Sequence, residues 1–103
     1  NGQPKGIIDV GCGDGTFLKH CYDLIRNSTI RGKHLKDYPL TLIGVDINKA
    51  ARIASRKKLN IYDINNIILN GNISNPDDLN KKLNLEYNRK LNDFLSKYYN
   101  CNE

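Results

Sequence analysis

The stretch KGIIDVGCGDGTFLKHCYDLI, residues 5–25, decides how the chain folds. Lys5 to Val10 is a short apolar run rich in β-branched residues, the pattern of a strand buried in a parallel sheet. From Thr16 onward, Phe17, Leu18, Cys21, Leu24 and Ile25 recur at helical spacing and are expected to face inward. Between the two halves stand Gly11, Gly13 and Gly15. Without a Cβ, a glycine takes left-handed backbone dihedrals and lets a ligand approach the N–H groups at a helix start. A nucleotide-type cofactor is the expected occupant of such a turn.

The same unit repeats downstream. Leu40 to Val45 reads as a second strand, halted at Asp46, and Asn48 is placed to cap a helix. In that helix Ala50, Ile53 and Ala54 are expected to face inward, with Lys49, Arg52, Arg56, Lys57 and Lys58 outside. Between the units, residues 26–39 show little periodicity beyond Ile30, Leu35 and Tyr38, and carry the breakers Gly32 and Pro39, so a surface connection or short irregular helix is predicted. Ile67 to Leu69 makes a third strand. Asn75, Pro76, Asp77 and Asp78 form a strong helix start, with an amide to cap, a proline at the first position and acids facing the positive helix end. Leu79, Leu83, Leu91, Phe94, Leu95 and Tyr98 then predict one long helix, or two parting between Asn84 and Asn88. The order β-α-β-α-β-α defines an α/β fold with a parallel sheet beneath right-handed helical crossovers.

Bulk composition narrows the function classes. With 103 residues and 39% apolar content, the chain has material for one modest core and one domain. It begins at Asn1 rather than Met, and a strand follows almost at once, so a piece of a longer polypeptide is expected. The net charge of +5 is too small to require an anionic partner. Lys49 to Lys58 lacks the interleaved aromatics of a nucleic-acid platform and reads as a solvated helix face. Cys12, Cys21 and Cys101 have no metal or redox spacing, and an odd cysteine count without a secretory segment fits a reducing, cytoplasmic setting. His20 and His34 lack partners at metal-ligand spacing, so no metal site is expected. No apolar run approaches the roughly 20 residues that span a bilayer.

Spacing decides which cofactor the glycine turn suits. A dinucleotide fingerprint requires a third glycine where this sequence has Thr16, counted from Gly11, or Leu18, counted from Gly13. A phosphate-cradling loop ending in Gly-Lys-Ser/Thr is absent.

Ile7 to Leu18 resembles motif I of the class I S-adenosylmethionine-dependent methyltransferases, and Leu42 to Asn48 resembles that family's motif II at the end of the second strand. The longer run from Arg31 to Asp46 is also similar to methyltransferase-like domains embedded in polyketide synthases. The resemblance covers residues 6–83; residues 84–103 match nothing recognised and are expected to be helical. It implies a Rossmann-like three-layer sandwich with partial strand order 3-2-1, ending before the later strands.

The resemblance also implies a site. Gly11, Cys12, Gly13 and Gly15 would form the loop beneath the methionine and ribose portions of S-adenosylmethionine. Asp9 would orient that loop or reach the ammonium, or bond the turn that follows it. Asp46 would accept hydrogen bonds from both ribose hydroxyls, with Ile47 against the adenine, unless it serves only as a strand-end turn residue. Asn72 stands where the family carries an acid for the adenine amino group. Asp14 is expected to be a solvent-facing turn residue, and Cys12, with no neighbouring base, a poor nucleophile.

The function so implied is a methyltransferase's cofactor-binding portion, transferring the sulfonium methyl to a small molecule or carrier-bound acceptor. No catalytic residue is named, because the acceptor pocket is expected in the remainder of a longer chain. Two alternatives stand beside it: a non-catalytic methyltransferase-like scaffold, and an NAD-binding dehydrogenase fragment. In each case the first strand is expected to present an open apolar edge needing cover.

Overall fold

The computed structural model of the chain describes residues 6–72 and 74–101. Its elements run β1 (Gly6–Val10), α1 (Thr16–Ser28), a 3-10 helix (Ile30–His34), β2 (Thr41–Val45), α2 (Lys49–Ile61), β3 (Asn66–Leu69) and α3 (Pro76–Cys101). The expected alternation is present in full. Lys5, the expected start of the first strand, lies outside the described residues.

The three strands pair in parallel in the order β1-β2-β3, which is the expected 3-2-1 order read from the other edge. Ile8 stands opposite Ile43, and Ile43 opposite Ile67, so one residue parity lines each face of the sheet. On one face Leu42 and Ile68 pack with Leu18 of α1 and Leu59 of α2. On the other, Ile43, Val45, Ile67 and Leu69 meet Leu79 and Leu83 of α3. Helices on both faces of a parallel sheet make the three-layer α/β arrangement of a partial Rossmann-like fold.

Two inward faces differ from the periodicity. Phe17 is 60% and Leu24 50% exposed, and α1 is held instead by Leu18, with Tyr22 and Ile25 partly buried. These three lie along i, i+4 and i+7, a stripe narrower than the full apolar set. In α2 the buried residues are Ser55 and Leu59, whereas Ala50, Ile53 and Ala54 are exposed. A Cβ built on Gly15 would stand 3.0 Å from the Ser55 Cβ, so a small residue is needed where helix and loop meet. Size, not hydrophobicity, fixes the rotation of α2.

The connection from α1 to β2 is pinned by a residue the periodicity missed. Arg31 is only 7% exposed, and its Nη1 donates to the Tyr38 carbonyl at 2.6 Å. Ile30 and Tyr38 remain exposed, and Leu35 packs partly against the core. Downstream, α3 is a single unbroken helix across Asn84 to Asn88. The side chains of Leu91, Phe94, Leu95 and Tyr98 lie outside the described ones. No helix among the described residues is long and apolar enough to cross a membrane.

At the β1 edge, Ile8 is 55% and Val10 39% exposed. This is the open apolar edge that the chain order implies.

Candidate functional site

The site is built where β1 and β2 end. Gly11 and Cys12 both donate their backbone N–H to the Val45 carbonyl, at 2.6 and 3.0 Å, which folds the chain over the tip of β2. Gly11 and Gly13 have φ of +77° and +56°, and a Cβ on either would meet nothing within 4 Å. Their space is therefore open, and the left-handed backbone is what excludes other residues. Gly15, also left-handed, differs: it is buried against Ser55, so its contribution is to bring α2 against the loop.

Asp46 ties the two strand ends together. Its Oδ2 accepts the Gly13 N–H at 3.0 Å and its Oδ1 accepts the Asn48 N–H at 2.8 Å. The Asn48 and Gly13 N–H groups, in that order, hold the carboxyl below its ordinary range, so it is ionised at neutral pH. Arg52 donates to the carbonyls of Asp46 and Ile47 at 3.1 and 3.0 Å, bracing the same turn from α2. Ile47 itself is 68% exposed beside the carboxylate, an apolar surface available to a flat ring.

A second tie fixes the helix side of the loop. Asp14 Oδ1 accepts from the Thr16 N–H at 3.0 Å and from the Thr16 hydroxyl at 2.7 Å, while Lys58 Nζ donates to Asp14 Oδ2 at 3.1 Å and to Thr16 Oγ1 at 2.7 Å. These bonds, that of the Thr16 hydroxyl first, bring Asp14 from its ordinary 3.8 down to about 2. A depressed carboxylate contributes fully above its unfolded value and is lost as pH falls through the folded one. The tie is therefore expected to be constant through neutral pH and to loosen only between 3.8 and about 2. Following the Asp14 carboxyl carbon by NMR checks this, and a midpoint at the ordinary 3.8 contradicts it.

The remaining predicted residues are distributed as follows. Cys12 is 5% exposed, with its side chain in the core against Gly44, and burial pushes its thiol upward, so it is protonated at neutral pH. Its backbone is engaged as well, the N–H by the Val45 carbonyl and the carbonyl by the Gly15 N–H. Asp9 is half-buried on β1 opposite Gly44, and among the described residues its carboxylate accepts no hydrogen bond. Asn72 is exposed beyond β3, and its Oδ1 accepts the Ser74 N–H at 3.0 Å. His20 and His34 are exposed, and no metal-binding group of three His, Cys, Asp or Glu occurs among the described residues.

Arg52, Ser55 and Lys58 are the site's unforeseen members. They recur every third residue along one face of α2, a spacing visible in the sequence but hidden when only aliphatic residues are counted. The basic cluster is accordingly no free solvated face, since Arg52, Arg56 and Lys58 all bond elsewhere in the fold.

A glycine turn at the carboxyl ends of two parallel strands, tied down by an acid just past the end of β2, is the arrangement of a Rossmann-like domain. Residues 1–97 match the methyltransferase family described as the AprA MT2-like domain, and the chain belongs to that family. None of the curated proteins compared with the chain matches it.

Proposed function

We propose that this chain is the S-adenosylmethionine-binding portion of a methyltransferase. The observation that carries the reading is the open space over Gly11 and Gly13 together with the ionised Asp46 carboxylate fastened to the Gly13 N–H. Such a cradle fits a ligand that brings a diol and a zwitterionic tail rather than a phosphate. When bound, S-adenosylmethionine supplies an electrophilic methyl group, and the protein's task is binding and orientation.

In this reading Asp46 accepts from the ribose hydroxyls with the lone pairs left by Gly13 and Asn48. Ile47 lies against the adenine, and the carbonyls of Gly11 and Gly13, whose N–H groups are engaged by Val45 and Asp46, serve as acceptors for the ammonium of the methionine portion. Asp9, with no hydrogen-bond partner among the described residues, faces the ammonium. Arg52 and Lys58 position this constellation without touching the ligand. The acceptor is a small molecule or a carrier-bound intermediate.

Calorimetric titration with S-adenosylmethionine, its demethylated product and NAD separates the readings. Binding of the first two and not of NAD is expected. A folded protein that binds none of them favours the second reading, a non-catalytic scaffold, to which the locally engaged Asn72 oxygen lends support.

A further inference from the structure

The two edges of the sheet are treated differently, and the difference lies in backbone acceptors. Leu42 N–H bonds the Asn65 carbonyl at 2.9 Å and Asp46 N–H bonds the Leu69 carbonyl at 3.0 Å. Parallel pairing alternates, so the carbonyl of Ile68 projects away from β2 toward the outer edge, and Asn70 follows just past the end of β3. Arg56 Nη2, from α2 on one face, donates to the Ile68 carbonyl at 3.2 Å. Lys82 Nζ, from α3 on the other face, donates to the Asn70 carbonyl at 2.7 Å and pairs with Asp78 at 2.8 Å.

Cations from opposite layers thus occupy an outward acceptor of the edge strand, at Ile68, and the carbonyl of the residue just past its end, at Asn70. A groove of about 530 Å³ lies along this edge, with Arg56 and Arg89 among its lining residues. At β1, by contrast, no side chain among the described residues bonds a strand carbonyl, and Ile8 and Val10 stand exposed. An unprotected edge is a template for another strand, and charged side chains laid across it remove that template.

We propose that Arg56 and Lys82 close the β3 edge to strand addition, so that pairing with any further strand is confined to β1. The inference is independent of what the glycine loop binds.

Sedimentation velocity over a concentration series, with amide hydrogen exchange at Ile68 and Asn70, tests it on wild type and on Arg56→Ala/Lys82→Ala. The variant is expected to associate about tenfold more tightly than wild type, with Ile68 and Asn70 amides gaining protection as concentration rises. Arg56→Lys/Lys82→Arg, which keeps both donors, stays at the wild-type level. A folded double alanine variant that associates no more than wild type, or gains protection only on β1, overturns the proposal. Should the double variant fail to fold, Lys82→Ala on the surface of α3 decides alone. Association about threefold tighter, with protection at Asn70, supports the closure, and wild-type behaviour overturns it.

Discussion

Asp46→Ala is expected to weaken S-adenosylmethionine binding roughly a hundredfold or more in a calorimetric titration, with the protein still folded. Two losses combine. The ligand loses an ionised acceptor for its hydroxyls, and the Gly13 N–H, held at 3.0 Å, is released so that the loop no longer has one shape. The fold tolerates the change because α2 keeps its own cap, with Asn48 Oδ1 accepting the Ala51 N–H at 3.0 Å. Asp46→Asn retains one acceptor oxygen, enough for Asn48 or Gly13 but not both, and is expected to cost roughly tenfold. Wild-type affinity in Asp46→Ala would remove this carboxylate from the site.

Gly44→Val is expected to cost the fold about 3 kcal/mol, read as a lower urea midpoint with an unchanged slope. Gly44 is buried in the central strand, and a Cβ there would meet Cys12 Sγ at 2.8 Å and Ile68 Cδ1 at 2.9 Å. The Cys12 Cβ, on a backbone anchored to Val45, lies 3.2 Å away as well, and Ile68 packs within the core cluster. Neither can retreat far, and the branched side chain adds two further carbons. The cost also spreads to the loop, because Cys12 lies between the two cradle glycines. A loss below about 0.5 kcal/mol would mean that the loop repacks freely and is not held from beneath.

How much of this was legible in the sequence depended on what kind of force placed each residue. The strands and their alternation with helices followed from apolar runs and the glycine turn, because burial of a parallel sheet leaves a strong one-dimensional signature, whereas the strand order came only with the family resemblance. Asp46 was legible for the same reason, standing at the exact end of such a run. The rotation of α2 was not, since it is set by Ser55 fitting against Gly15, a contact across 40 residues that periodicity cannot register. Arg31 escaped because the acceptors it meets at Tyr38 and Pro39 are backbone carbonyls, which every residue carries. Lys58 and Arg52 were hidden in a charge run whose ordinary meaning is solvation. Asp14 was expected to face solvent; its carboxylate does so while also fastening the start of α1.

S-adenosylmethionine is expected to meet the loop over β1 and β2. The most direct measurement is a backbone amide NMR titration with S-adenosylmethionine. The amides of Gly11, Gly13, Asp46 and Ile47 are expected to shift together and saturate, while Ile68 and Asn70 at the β3 edge stay still. Saturating shifts centred on the β3 groove, or none anywhere in a folded protein, would contradict it.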